Sequence, residues 1–119
     1  MFPYDHFSEN LKNVLETAKK VAAFYETDYI GSEHILFAIL NLPDTRACKI
    51  LHECGVQEAM YRKKFVAGLE KNTGINGFTA RTKDMMSKAY EFAVDHDGDG
   101  VLVGTEYMLL AILVDDDSV

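Results

Sequence analysis

The chain has 119 residues, with 12 Lys+Arg against 19 Asp+Glu and a formal net charge of -7. That length fits one domain, and 48% hydrophobic with 26% charged residues is a globular rather than a disordered composition. The acidic balance argues against a nucleic-acid binder and against anionic membrane surfaces, and no apolar run approaches the roughly 20 residues of a transmembrane helix.

Met1 to Asn10 lack a basic segment followed by an apolar one, so no secretory signal is expected. In Phe7 to Tyr25, Leu11, Val14, Leu15, Ala18, Val21, Ala22 and Tyr25 recur at spacings of three and four, which predicts an amphipathic helix with Ser8 as N-cap. Ser32 opens a second, strongly buried helix through Ile35, Leu36, Phe37, Ile39 and Leu40, and Pro43 stops it. A third helix is expected from about Asp44 to Cys54, with Gly55 after it, and a fourth from Gln57 to about Lys71. Cys48 and Cys54 fall on different faces of that third helix, so two free thiols of a reducing cytoplasm are expected.

The pattern then starts again. Phe78-Thr79 matches Phe7-Ser8, and Met85, Met86, Ala89, Phe92 and Ala93 match Val14, Leu15, Ala18, Val21 and Ala22 at an offset of 71. After a two-residue insertion, Ile30-Gly31-Ser32-Glu33-His34 through Leu40 matches Val103-Gly104-Thr105-Glu106-Tyr107 through Leu113 at an offset of 73, with six of eleven pairs identical. The fold class is therefore all-α, a tandem pseudo-repeat of short helices. Repeat one spans 7–71, a linker 72–77, and repeat two 78–119, where it is incomplete. The missing helices should leave Met85, Met86, Phe92 and Leu109 short of cover. Either looser packing of repeat two or self-association with another copy is expected.

The paired segments Tyr29 to Leu36 and Leu102 to Leu109 resemble the double repeat of Clp ATPase N-terminal domains, of the ClpC/ClpA type, over nearly the whole chain. The chain departs from that pattern at Glu26-Thr27-Asp28, where Gly-His often stands, and at Tyr107 in place of His. The resemblance implies a small helical module, cytoplasmic and placed before ATPase rings. Such a module receives protein substrates and adaptor proteins for an unfoldase that feeds a peptidase. The chain itself lacks a phosphate-binding G-x-x-x-x-G-K-[ST] loop and a G-x-S-x-G nucleophile elbow. Hence it is read as a binding domain with no catalytic residues and no cofactor of its own, ATP belonging to the parent protein.

Ser8 and Thr79 are hydroxyls at helix N-termini, where free N–H groups and the dipole favour anions. Glu33 and Glu106 open the following helices, and a carboxylate pairs well with a guanidinium fork. The resemblance implies two phosphoarginine sites, with Glu33 and Glu106 on the guanidinium and Ser8 and Thr79 near the phosphate. The same residues also serve as ordinary caps and dipole complements.

A second constellation shares Glu106. Asp95, Asp97, Asp99 and Glu106 in Asp95-His96-Asp97-Gly98-Asp99-Gly100 through Glu106 fit the calcium loop D-x-[DN]-x-[DN]-G-x5-E. The alternative function is thus a calcium-binding helical protein. The repeat already accounts for Gly104-Thr105-Glu106, and an Asp/Gly turn needs no metal. His6, His34, His52 and His96 show no metal-ligand spacing, and Cys48 with His52 lacks the context of a catalytic dyad.

Overall fold

The computed structural model describes residues 4–69, 73, 74, 76–98 and 102–115. A single helical turn at Tyr4–His6 precedes α1 (Glu9–Phe24), β1 (Tyr29–Ile30), α2 (Ser32–Leu40), α3 (Arg46–Glu53), α4 (Glu58–Ala67), β2 (Gly77–Phe78), α5 (Ala80–Asp97) and α6 (Thr105–Val114). The all-α reading holds.

Local chemistry sets the helix starts. The hydroxyls of Ser8, Thr45 and Thr79 accept from the amides of Leu11, Cys48 and Thr82, each three residues on, and so satisfy one orphan donor per helix. At the other end of α2, the Asn41 side-chain amide donates to the Phe37 carbonyl at 2.9 Å. The fourth helix is shorter than expected. It ends at Ala67 with Gly68 as its cap, and Lys71 lies outside the described residues.

The core is built around α2, in which every residue from His34 to Leu40 is buried. Such all-round burial requires neighbours on several sides: α1, α3 and α4 pack against it. Its repeat-two counterpart α6 packs against α5, α1 and α3. Here the expectation about uncovered residues is corrected. Met85, Met86 and Leu109 are buried, because α5 and α6 share their apolar faces with repeat one. Phe92 is half-buried. Leu110 (42% exposed), Leu113 (58%) and Val114 (50%) are the exposed aliphatic residues of α6.

Two short parallel links tie the repeats crosswise. β1 pairs with β2 in the register Tyr29↔Gly77 and Ile30↔Phe78, and Phe7 bridges Val103. The segment before α1 thus meets the segment before α6, and the segment before α5 meets the segment before α2. Each link is too short to show a strand period in the sequence. Asp28 adds a third tie: its carboxylate accepts from the Thr73 amide at 3.0 Å, the Thr73 hydroxyl at 2.9 Å and the Gly74 amide, and these bonds hold its pKa below the usual value. Among the described residues no helix is long and apolar enough to cross a membrane.

Candidate functional site

The crosswise links decide which of the repeated residues meet. The Thr79 amide donates to the Ile30 carbonyl at 3.1 Å, and the Ser8 amide donates to the Val103 carbonyl at 2.8 Å. Each helix start of one repeat therefore sits beside the Gly-Ser/Thr-Glu segment of the other: Thr79 joins Gly31-Ser32-Glu33, and Ser8 joins Gly104-Thr105-Glu106. The repeat arithmetic singles out these four residues without showing this exchange of partners.

The glycine of each segment has a steric role. Glu33 folds its carboxylate back over the Cα of Gly31, so that a Cβ there would collide with Oε1. Glu106 does the same over Gly104. Both glycines are N-caps in extended conformation at negative φ, so the requirement is space rather than backbone freedom.

The two carboxylates differ in their partners. The Tyr29 hydroxyl donates to Glu33 Oε2 at 2.9 Å. Glu106 Oε2 lies 3.2 Å from Arg46 Nη1, a guanidinium on the first turn of α3. The next residue fastens the same contact, as the Ala47 amide donates to the buried Thr105 hydroxyl at 3.1 Å. Tyr29 adjoins the recognised motif in sequence. Arg46 carried no sequence signal, being 60 positions from its partner.

Glu33 lies in a cleft of about 720 Å³. Its polar lining includes Glu33, Thr79, Arg81, Thr82 and Lys64, with Arg81 Nε 4.0 Å from Asp115 Oδ1. Its apolar lining includes Leu36, Leu40, Leu51, Val56 and Leu113. The Thr79 hydroxyl stands 2.7 Å from that of Thr82, at the start of α5. Tyr61 also lines the cleft, its hydroxyl donating to the Glu33 carbonyl at 3.0 Å, and burial pushes its phenol pKa up. A carboxylate at one point and a cation-flanked helix N-terminus near it can serve a ligand carrying both a cationic and an anionic group.

His34 supports the cleft from beneath. Its Nδ1 accepts from the Gly31 amide at 3.1 Å, which places the proton on Nε2, 3.1 Å from the Thr27 hydroxyl. Burial lowers its pKa, so the neutral ring is the folded form. Tyr107, in the matching place of repeat two, instead turns its hydroxyl to Asp97, whose hydrogen bond pushes the phenol pKa up to about 12.

The residues of the calcium loop are described in part. Asp95 and Asp97 belong to the last turn of α5, Asp97 is engaged by Tyr107 and His96, and Glu106 by Arg46. Asp99 and Gly100 lie outside the described residues. Among the described residues no three His, Cys, Asp or Glu are grouped to hold a metal ion. Cys48 Sγ does lie 3.8 Å from His52 Nε2, but burial raises the thiol pKa, which opposes a nucleophilic thiolate. The two cysteines are free, Cys48 buried and Cys54 exposed.

The Clp repeat (R) N-terminal domain family matches residues 6–119. The chain belongs to that family. As a Clp N-terminal domain, it is 32% identical to the probable ATP-dependent Clp protease ATP-binding subunit of Chlamydia pneumoniae over 123 aligned positions. That alignment takes in 98% of this chain and 14% of the relative's length. Among solved structures, the N-domain of ClpV from Vibrio cholerae is 14% identical with a TM-score of 0.79, covering 95% of this chain and 70% of that one. A ClpV N-domain in complex with a VipB peptide is 15% identical with a TM-score of 0.81, covering 98% and 74%. At these identities the structures establish a shared Clp N-domain fold.

Proposed function

We propose that this Clp N-terminal domain is the substrate- and adaptor-recognition module of a Clp-type AAA+ unfoldase in ATP-dependent proteolysis, acting in the cytoplasm. It contributes binding, and the nucleotide and peptidase chemistry belong to other modules and a partner protein. The kinship with a Clp protease ATP-binding subunit supports the setting. The peptide complex of a ClpV N-domain supports a protein-receiving role for the fold.

Within that role, arginine-phosphorylated proteins are read in the Glu33 cleft. The observation that carries this is the grouping of Glu33 with Thr79, Arg81, Thr82 and Lys64 in one cleft. The guanidinium end of phosphoarginine goes to the Glu33 carboxylate, and the phosphoryl end to the α5 N-terminus with its flanking cations. Ser8 and Glu106 form the corresponding second place, in which Arg46 already holds the carboxylate. Calorimetric titration with phosphoarginine tests the reading. Saturable binding lost in Glu33→Gln is expected; no heat at millimolar ligand overturns it.

A further inference from the structure

Asp28 pins the joint between the repeats from two sides. Its carboxylate accepts from the Thr73 amide, the Thr73 hydroxyl and the Gly74 amide, and its main-chain carbonyl accepts from the Gly77 amide at 2.9 Å. Gly77 then opens β2 opposite Tyr29. The stretch from Gly74 to Gly77 is thus held at both ends by one residue. Asn76 lies inside it, exposed and in the left-handed region at φ 54, which asparagine tolerates. Of the chain's five asparagines, only Asn76 is followed by glycine. Gly77 has no side chain to shield its nitrogen, and the space beside it is open: a Cβ there would meet no atom within 4 Å.

We propose that Asn76 is a site of spontaneous deamidation whose rate is set by opening of the β1–β2 joint. In this reaction the Gly77 nitrogen gives its proton to a solvent base and bonds to the side-chain carbonyl carbon of Asn76. The bond from that carbon to the side-chain nitrogen breaks, ammonia leaves, and a five-membered succinimide remains. Water then opens the ring at either carbonyl, which yields aspartate or isoaspartate. The balance is one water taken up and one ammonia released. In the closed joint the attacking nitrogen donates its N–H to the Asp28 carbonyl and is fixed in the ladder, so it is neither free to lose the proton nor free to turn. Reaction therefore proceeds through a local opening that leaves the helices folded. Isoaspartate routes the main chain through the former side chain and lengthens it by one carbon between the two anchors. It also sets a new carboxylate in a loop already wrapped around that of Asp28. Both changes oppose reclosure, and Thr79, two residues beyond Gly77, loses its bond to the Ile30 carbonyl beside Gly31-Ser32-Glu33.

The test follows isoaspartate at position 76 of the full chain in mildly alkaline buffer, by peptide mass mapping and by enzymatic methylation of isoaspartyl groups. A synthetic peptide of residues 73–82 is the unheld reference. It should convert at least about tenfold faster than the folded chain, as for a site that reacts only through local opening. Asp28→Ala removes the carboxylate anchor and should bring the folded chain towards the peptide's rate. Wild type in denaturant below its unfolding midpoint reads the same opening if that variant fails to fold, and its rate should climb there. The isolated isoaspartyl form should melt below Asn76→Asp, which adds the charge without lengthening the chain. Equal rates in peptide and folded chain overturn the proposal, as does a rate that neither Asp28→Ala nor denaturant changes. So do an absence of isoaspartate at position 76 under every condition and an isoaspartyl form that melts like wild type.

Discussion

Arg46 holds Glu106 across 3.2 Å, although the two residues belong to different repeats and different helices. The contact makes the two repeated carboxylates unequal. On the proposed reading, Glu33 should be the site of higher affinity for a guanidinium ligand in wild type. Arg46→Ala should release Glu106 and raise the stoichiometry of phosphoarginine binding from one towards two sites, read by calorimetry. The arginine side chain is 73% exposed, so the melting temperature should hardly move.

Gly31→Ala tests the folded-back carboxylate without touching the core. The added Cβ meets the far end of a flexible side chain, so Glu33 swings away while the backbone stays. Loss of the N-cap preference should cost about 1 kcal/mol or less. Ligand binding at the cleft should fall more than stability does, a contrast that denaturant melts and titrations on the same variant would reveal.

His34 should give the domain a weakness to mild acid. Its folded pKa lies below the ordinary value of 6.5 because burial disfavours the charged ring. Above 6.5 both folded and unfolded forms are neutral. Below it the unfolded chain binds a proton that the folded chain refuses, so stability falls as pH drops from about 6.5 towards the folded pKa. Asp28 and Asp97, with lowered pKa values, act in a separate window below 3.8. Melting curves from pH 7 to 5 should show the decline, and His34→Gln should flatten it, because an amide can keep both hydrogen bonds without titrating.

Thiol reactivity should split in two. Cys54 is exposed and should react at once with an aromatic disulfide reagent, while Cys48, buried and with its pKa raised, should react only on unfolding. Equal rates would show that α3 is not seated as described.

Ile39→Ala addresses the central helix. Ile39 is fully buried, so its truncation should cost roughly 2–5 kcal/mol in chemical denaturation.

Helical periodicity and the offsets of 71 and 73 made the fold and its duplication legible, since both depend on neighbours along one chain. The four repeated polar residues were legible for the same reason. Their pairing was not: it depends on two links of one or two residues each, between segments 48 and 96 positions apart. Arg46 looks like an ordinary surface cation in sequence, and only the packing of α3 against α6 brings it to Glu106. Leu109 was expected to be uncovered and is not, because α3 of the other repeat reaches across to α6.

The exchange of partners between repeats has a consequence for how the domain can fail. A lone half would own a helix start without its carboxylate and a carboxylate without its helix start. Each pairing of a helix start with a carboxylate segment needs both repeats in place. Damage to the seam, at Asp28 or at the Phe7–Val103 bridge, should therefore silence recognition in both halves together, long before either half unfolds.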